Sequence, residues 1–219
     1  MARKTKEDAL VTRDRLLDAA ELVFEQRGVS RCSLQEIAQA AGVTRGAIYW
    51  HFENKADLVN AMLQRVALPL EEAISRSADP NTADPVLEVR NSLLNALRKT
   101  VACPQVQRVF VIKMQKLEYV DELQAVRDKR INTRVGLIDQ VAIGLKRAMA
   151  QGRLDRRLPA RASAIALHAL VSGLIENWLL DPSAFDLVQV GEQALDTYLA
   201  GLSLPGPMPP EPRATRART

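Results

Sequence analysis

Apolar residues recur every three or four positions along most of the chain, whereas the strict alternation typical of half-buried strands is nearly absent. The first apolar stripe spans residues 8–26, and Gly28 follows it as a helix stop. This pattern predicts an all-α protein that begins with a long amphipathic helix.

Two short helices are predicted directly after this first one. Ser33, followed three positions later by Glu36, has the form of a capping box, so a second helix should begin there and end near Gly42. Thr44 is a suitable N-cap for a short third helix that ends near Trp50. Two short helices joined by such a tight turn are typical of a helix-turn-helix.

The remainder of the chain is predicted to be helical as well. Asn54 should cap a long fourth helix, in which Pro69 should cause a kink or an interruption. Residues 77–85 hold a run of turn formers, and Asp84 with Pro85 has the form of an N-cap followed by the first helical residue. Five further helices are expected over approximately residues 84–102, 104–117, 121–151, 159–180 and 185–202.

Composition limits the functions that fit this pattern. Of the 219 residues 47% are hydrophobic, which is enough for a core, and the formal charge of +4 permits nucleic-acid binding without demonstrating it. The first 60 residues hold as many acids as cations, so a DNA-binding face requires charge placement rather than charge excess. Cys32 and Cys103 lie far apart, and neither a signal peptide nor a membrane span is evident. We therefore expect a cytoplasmic protein with free thiols.

The chemistry of the third helix favours DNA binding. Arg45 lies at the end of the helix that reaches base edges, where its guanidinium can donate two hydrogen bonds to guanine. Gly46 allows the backbone to approach the groove, and a basic arm at the N-terminus can follow an adjacent groove. The residues predicted to contact bases or phosphates are Arg3, Lys4, Lys6, Ser33, Thr44, Arg45, Gly46, Tyr49, His51 and Lys55.

Neighbouring residues are expected to hold the helix in place, and some of the predicted contacts have a structural alternative. Ile48, Trp50 and Phe52 are predicted to be core residues. Tyr49 and His51 are also suited to a partly buried structural role. The basic arm at the N-terminus could instead serve only to increase solubility. Lys55 is unfavourable near a helix start because of the helix dipole, so an anionic partner is expected beside it.

Over residues 8–60 the sequence resembles the DNA-binding domain of the TetR family of bacterial repressors. The spacing is kept without gaps, and residues 41–52 (AGVTRGAIYWHF), with the opening ARKTKE, are most similar to the AcrR-like branch, which represses multidrug efflux operons. A weaker similarity covers residues 173–179 and 185–187. The residues that carry the main resemblance are Arg13, Ala19, Ala20, Phe24, Gly28, Ser33, Ile37, Ala38, Ala41, Gly42, Val43, Gly46, Tyr49, His51, Phe52, Lys55 and Leu58. The resemblance implies a nine-helix fold, a homodimer, a palindromic operator and a ligand pocket in the C-terminal domain.

The effector pocket is expected between helices five and eight. Its predicted lining is mostly aliphatic, which suits large apolar or cationic amphipathic compounds bound with little directional specificity. His168 and Glu176 are the polar groups on an otherwise apolar eighth helix, and Glu176 is suited to a cationic ligand or to a cationic side chain. The predicted lining residues are Val66, Leu93, Leu97, Phe110, Met114, Leu137, Val141, His168, Val171, Ser172, Ile175 and Glu176.

Helices eight and nine are the predicted dimer interface, because two copies are needed to bind two half-sites of an operator. Trp178 is a candidate anchor, with packing inside the subunit as the alternative. The small residues that should allow close helix approach are Ala162, Ala164, Ala166, Ala169, Ser172 and Gly173.

The predicted organisation has three parts. These are a DNA-binding helix-turn-helix domain with its basic arm over residues 1–54, a ligand-binding and dimerisation domain over residues 55–203, and a disordered Pro- and Arg-rich tail over residues 204–219. The fourth helix is long enough to belong to both domains, so it should carry a ligand-induced change from one to the other.

The predicted function is a transcriptional repressor of a multidrug efflux operon, released from its operator by a hydrophobic or amphipathic compound. The alternatives are a regulator of a metabolic or catabolic operon, and a helical adaptor without DNA binding. The only two histidines lie in different domains, and phosphate loops, paired cysteines and metal-ligand clusters are absent from the sequence. We therefore expect neither an enzyme nor a metal or cofactor site. A redox role of Cys32, close to a helix N-terminus, or of Cys103 is a further hypothesis.

Overall fold

The computed structural model describes residues 6–79 and 81–203, and these residues form α-helices without any strand. The all-α prediction is therefore confirmed. The α-helices are α1 (Lys6–Arg27), α2 (Leu34–Ala40), α3 (Arg45–His51), α4 (Lys55–Ser75), α5 (Pro85–Ala102), α6 (Pro104–Val111), α7 (Gln124–Ala150), α8 (Ala160–Leu180) and α9 (Leu187–Ser203). The 3₁₀ turns Arg76–Ala78 and Asp121–Leu123 and a π-helical turn, Ile112–Lys116, lie between them.

The helix starts predicted from capping residues are confirmed. Ser33 Oγ accepts a hydrogen bond from the backbone N–H of Glu36, whose carboxylate accepts one from the backbone N–H of Ser33. Thr44, Asn54 and Asp84 each accept a hydrogen bond from a backbone N–H in the first turn of α3, α4 and α5. Local hydrogen bonding therefore sets where these helices begin.

Glycine and arginine shape the turn between α2 and α3. Gly42 has a φ of +64°, which residues with a Cβ rarely adopt. Arg15 on α1 donates from Nη2 to the carbonyl oxygen of Ala41 at 2.7 Å, which satisfies a carbonyl at the end of α2. The turn is therefore fixed from both sides, by its own backbone and by α1.

Two helices differ from the sequence prediction. The fourth helix continues through Pro69 to Ser75, so the predicted interruption does not occur. The predicted sixth helix over residues 104–117 is divided, because α6 ends at Val111 and the π-helical turn follows it. π-Helical turns are rare and concentrate at functional sites.

One hydrophobic core runs through the described part of the chain. Phe24, Ile37 and Ile48 are fully buried where α1, α2 and α3 meet. Leu58 and Met62 of α4 are also fully buried and extend this core toward the larger bundle. The prediction that α4 serves both parts of the molecule agrees with this packing.

A buried carboxylate joins α1 to the larger bundle. Glu21 is 1% exposed and accepts hydrogen bonds from Arg65 of α4 at 2.6 Å and from Gln105 of α6 at 3.1 Å. Arg108 of α6 approaches the same carboxylate at 3.5 Å and Glu25 at 3.2 Å. Because an unpaired buried charge is costly, these contacts hold α1 in a fixed position against α4 and α6.

Among the described residues, α8 is long and apolar enough to cross a membrane by length and composition, and core helices of helical bundles meet the same criterion. Only 33% of its most apolar stretch is buried within the chain. Trp178, the candidate dimer anchor, is 8% exposed and packs in the core of its own chain, which agrees with the alternative predicted for it. Ala164 is also fully buried and cannot contribute to an interface.

Candidate functional site

The third helix separates its residues into a buried and an exposed face. Ile48 and Phe52, four positions apart, are buried against the core, as predicted. Thr44, Arg45, Gly46 and Tyr49 are exposed on the other side. An α-helix that shows only one face to solvent in this way is suited to a DNA groove.

The exposed face combines a cation with an aromatic ring. Arg45 places its guanidinium carbon 5.8 Å from the centre of the Tyr49 ring, one helical turn along α3. Apart from its two chain neighbours and the backbone of α3 itself, no heavy atom of the described residues lies within 4 Å of a Cβ built on Gly46, so the backbone is open to a close approach there. Thr44 supplies the N-cap, with its Oγ1 accepting from the N–H of Ala47 at 3.3 Å. DNA contact by these residues stays a prediction that this exposure supports.

Trp50 is exposed, which corrects its assignment to the core. Its side chain is 72% accessible, and its ring meets the half-buried His51 ring edge-on at 4.6 Å. The reason is helical geometry: Ile48 and Phe52 share a face, whereas Trp50, two positions from each, lies on the opposite side. Trp50 is therefore a surface residue of α3.

Lys55 is buried, which corrects its predicted contact with a phosphate. Its side chain is 7% exposed, and Nζ donates to the carbonyl oxygens of Ser30 at 3.3 Å and Cys32 at 3.0 Å. The third partner is the carboxylate of Glu122, at 3.0 Å. All three ammonium donors are therefore directed at oxygens of the protein in this conformation. The anionic partner expected for a lysine at a helix start is Glu122.

The remaining predicted DNA contacts have less direct structural support. Ser33 is exposed, but its hydroxyl takes part in the capping box and also donates to the Glu36 carboxylate at 2.9 Å. The capping interaction therefore occupies the hydroxyl that was predicted to meet a phosphate. Arg3, Lys4 and the side chain of Lys6 lie outside the described residues.

A series of contacts that the sequence did not reveal joins the α1–α2 loop to the segment after the π-helical turn. The N–H of Val29 donates to the carbonyl of Lys116 at 3.1 Å. The hydroxyl of Ser30 donates to the Glu118 carboxylate at 3.0 Å. Together with the Lys55–Glu122 pair, these contacts form what we call the junction. The only sequence signal for it was the unfavourable position of Lys55.

A cleft of about 520 Å³ lies beside the same π-helical turn. It is bounded by that turn, by the segment that follows it, and by α7 and α8. Its volume is in the range of sites for drug-sized molecules. Its lining consists of Lys113, Met114, Tyr119, Arg127, Arg130, Ile131, Thr133, Arg134, Leu137, His168, Ser172 and Glu176.

About half of the predicted pocket residues lie at this cleft or beside it. Five of them line it directly, namely Met114, Leu137, His168, Ser172 and Glu176. Phe110 lines a smaller adjoining space, which shares Lys113 and Arg130 with the cleft. The other predicted residues are buried in the hydrophobic core and do not line this cleft, so their contact with an effector stays a prediction: Val66, Leu93, Leu97, Val141, Val171 and Ile175. Apolar periodicity marks core and pocket faces alike, so it could not separate them.

Cations dominate the cleft, contrary to the predicted aliphatic lining. Lys113, Arg127, Arg130 and Arg134 line it with a single carboxylate, that of Glu176. Burial lowers the pKa of Lys113 to about 8, with a further lowering by Arg130 and an opposing effect of Glu71. Burial is also the main cause that lowers the pKa of His168, followed by Lys113, Arg134 and Arg130. A cationic ligand, one of the two predicted classes, is therefore disfavoured here.

Cys32 is not placed as a reactive thiol. Cys32 is buried, and its thiol approaches the carbonyl oxygen of Gly28 at 3.1 Å. Burial raises the pKa of the Cys32 thiol, opposite to the thiolate predicted at this position. Within residues 6–79 and 81–203, no group of three or more His, Cys, Asp or Glu side chains is placed to hold a metal ion.

Comparison with known proteins agrees with both halves of this architecture. Residues 16–62 match the model of the tetR family of bacterial regulatory proteins, and residues 84–204 match the C-terminal region of MAATS-type transcriptional repressors. The HTH-type transcriptional regulator TtgR of Pseudomonas putida is 38% identical over 204 residues, which cover 93% of this chain and 97% of that protein.

Solved structures give the same result. NalD, described as the secondary repressor of the MexAB-OprM multidrug efflux pump in Pseudomonas aeruginosa, superposes with a TM-score of 0.82 at 37% identity, covering 89% of this chain and 98% of that one. The complex of SmeT with triclosan has a TM-score of 0.81 at 29% identity, and the superposition covers 91% of this chain and 97% of SmeT. SmeT is described as the repressor of the Stenotrophomonas maltophilia multidrug efflux pump SmeDEF. This chain therefore belongs to the TetR family of bacterial transcriptional regulators.

Proposed function

We propose that the protein is a repressor that binds operator DNA through the exposed face of α3 and releases it when a small amphipathic molecule occupies the cleft. The observation that carries this proposal is the junction. It connects the helix-turn-helix, through Lys55, to Glu122, close in sequence to the cleft residue Tyr119. A change in the cleft therefore has a short physical route to the DNA-reading unit.

The route has identifiable steps. Lys113 and Met114 line the cleft and belong to the π-helical turn, whose last residue, Lys116, accepts the hydrogen bond from Val29. A ligand that displaces this turn also displaces the α1–α2 loop and the start of α4. The expected coupling between ligand and DNA is about 1–3 kcal/mol, equivalent to roughly a 5- to 150-fold loss of operator affinity.

The proposed repressor acts as a homodimer through α8 and α9 on a palindromic operator. Ile165 and Leu180 of α8 are 48% and 69% exposed, and Ala162 and Ala169 are exposed on the same helix. A second copy covering this apolar face would remove it from water, as expected of a symmetric interface.

Substitution on α8 tests the interface. Ile165→Glu should convert the dimer to a monomer in light scattering, because a charge would be placed in the apolar contact. Leu87→Glu changes a residue of similar exposure on α5 and should leave the dimer intact. A dimer that survives Ile165→Glu and Leu180→Glu together contradicts this choice of interface.

The regulated genes are proposed to encode a multidrug efflux pump, since NalD and SmeT are described as repressors of such pumps. DNA binding also implies action in the cytoplasm. The competing proposal, control of a metabolic or catabolic operon, differs in the identity of the genes and in the breadth of effectors.

The experiment is a gel shift with the intergenic DNA upstream of the protein's own gene and a panel of efflux-pump substrates. We expect a specific complex that several unrelated compounds dissociate. Release by one metabolite alone would favour the metabolic alternative. If the intergenic DNA binds no more tightly than unrelated DNA of the same length, the repressor proposal fails.

A further inference from the structure

The cleft has an excess of cations without matching acids. Among the described residues, no carboxylate lies within ion-pair distance of Lys113, Arg127, Arg130 or Arg134. Elsewhere in the molecule, buried or half-buried arginines such as Arg65 and Arg90 are paired with two or more carboxylates. The cleft cations therefore differ from Arg65 and Arg90, because they have no carboxylate partner in the described part of the chain.

The partners that these cations do have are neutral. Nη1 of Arg130 donates to the carbonyl oxygen of Lys113 at 3.1 Å and to the Tyr119 hydroxyl. The ammonium of Lys113 lies 5.3 Å from the centre of the Phe110 ring. Carbonyl, phenol and ring stabilise a positive charge only in part, so capacity for an anion remains.

Charged groups on the surrounding elements do not cancel this excess. On α8, Glu176 lines the cleft, while Glu71 of α4 acts on Lys113 from a neighbouring groove. Within the cleft, His168 favours its neutral form because burial lowers its pKa, and the nearby cations Lys113, Arg134 and Arg130 lower it further. Lys113 has a pKa of about 8, so the side chain is mostly protonated at pH 7, although burial disfavours its charged form.

We propose that the effector class is an amphipathic anion: a carboxylate, sulfonate or acidic phenol carried on an apolar body. The anionic head is bound by Lys113, Arg130 and Arg134, and the apolar body lies against Met114, Ile131 and Leu137, which line the same cleft. This inference rests on the proposed ligand-responsive function and specifies its ligand. It replaces the cationic amphipathic compounds expected from the sequence.

The test uses three probes of nearly equal size that differ in charge: biphenyl-4-carboxylate, biphenyl-4-methanol and biphenyl-4-methylamine. Their dissociation constants are measured by calorimetry with the full-length protein at pH 7. We expect the carboxylate to bind about tenfold more tightly than the alcohol, and the protonated amine to bind most weakly, since charge-assisted hydrogen bonds are the strong ones.

Proton uptake gives a second readout. Binding of the anion should return the pKa of Lys113 toward its ordinary value, so at pH 8 the protein should take up about half a proton. Calorimetry in two buffers of different ionisation enthalpy measures this uptake. Tris and triethanolamine buffers suit the comparison, because neither is an anion that would compete for the cleft cations.

A matched pair of variants assigns the effect to the cleft. Lys113→Met keeps a long unbranched side chain but should weaken carboxylate binding about tenfold and abolish proton uptake. Lys146→Met makes the same change at an exposed position of α7 and should leave both within about twofold of wild type. Arg134→Gln provides a second cleft variant, expected to weaken the carboxylate without affecting the alcohol.

The outcomes separate this inference from the repressor function. Equal binding of the three probes, preference for the amine, or no binding of the carboxylate overturns the anionic effector class. Operator binding is measured independently with the intergenic DNA. If the protein binds the operator although the probes overturn the anionic class, the repressor proposal stands. If the protein does not bind the operator, the repressor proposal fails regardless of the probe results.

Discussion

The proposed DNA-binding face of α3 and the proposed effector cleft use similar types of side chain in different surroundings. On α3 the cation Arg45 and the aromatic residues Tyr49 and Trp50 are exposed, and an aliphatic face beneath holds them in position. In the cleft, four cations and the ring of Tyr119 line a cavity. Both regions therefore have positive charge without acidic partners, and each is proposed to obtain its anion from outside the protein.

Two lysines make the contrast sharper. Lys55 is buried at the junction but is surrounded by three oxygen acceptors, including Glu122. Lys113 in the cleft has a ring and a neighbouring arginine instead, and its pKa falls to about 8. The first lysine holds the two regions together, whereas the second is available to a ligand. Burial alone does not distinguish these two roles, because both lysines are at least partly buried. The groups that contact each ammonium distinguish them.

The largest predicted effect distinguishes Phe52 from Trp50, two aromatic residues of the helix-turn-helix. Phe52→Ala should lower the free energy of unfolding by about 3–5 kcal/mol, because it leaves a cavity in a fully packed core. Trp50→Ala should change it by less than about 0.5 kcal/mol, since the side chain is exposed. Urea denaturation monitored by circular dichroism measures both. Equal destabilisation by the two substitutions would contradict the division of α3 into two faces.

The next effect concerns the exposed cation. Arg45→Ala should reduce binding to the intergenic DNA by about 1–3 kcal/mol per half-site while leaving binding to unrelated DNA nearly unchanged. Fluorescence anisotropy at several salt concentrations gives the dissociation constants for both DNAs, and their ratio measures the specificity. Arg31→Ala, an exposed arginine in the α1–α2 loop, serves as the control. A uniform loss on both DNAs would assign Arg45 to phosphate contact instead of base reading.

The free energy of unfolding of the protein should depend on pH through Lys113. Its folded pKa of about 8 lies below the ordinary value of 10.5, so the unfolded state binds more protons between these values and stability rises from pH 8 to 10.5. Lys113→Met should remove this rise and stabilise the protein at pH 7 by on the order of 1 kcal/mol. Denaturant titrations across this pH range test the prediction, with Lys146→Met as control. A variant that keeps the wild-type rise would contradict it.

The smallest predicted effect lies at the junction. Glu122→Gln removes the charge that pairs with Lys55, so it should reduce the effect of ligand on operator affinity by about 0.5–1 kcal/mol. Asp121→Asn changes the neighbouring exposed acid and should leave that coupling unchanged. The measurement is the ratio of operator dissociation constants with and without ligand. An unchanged ratio in Glu122→Gln would indicate that the coupling between cleft and DNA runs through other contacts, for example those of the buried Glu21 carboxylate.

Sequence reasoning worked best where structure is determined locally. The caps Ser33, Thr44, Asn54 and Asp84 each act within one helical turn, so their spacing in the sequence was sufficient to predict them. Trp50 was assigned to the core because of its residue type, although its position relative to Ile48 already placed it on the opposite face. Residue type is therefore weaker evidence than helical position.

The cleft could not be predicted in the same way. Lys113, Arg130 and His168 come from the π-helical turn, α7 and α8, and only the packing of those elements brings them together. The π-helical turn has no sequence signature of the kind that marks a helix cap. The junction is likewise non-local, because Lys55 and Glu122 are 67 positions apart in the chain.

The central claim is that the cleft and the DNA-reading unit are coupled. The most direct test is the dissociation constant for the intergenic DNA, measured by anisotropy with and without a saturating concentration of whichever biphenyl probe binds most tightly. We predict that the ligand raises this constant by roughly 5- to 150-fold. A dissociation constant that is the same with and without the bound probe would contradict the account.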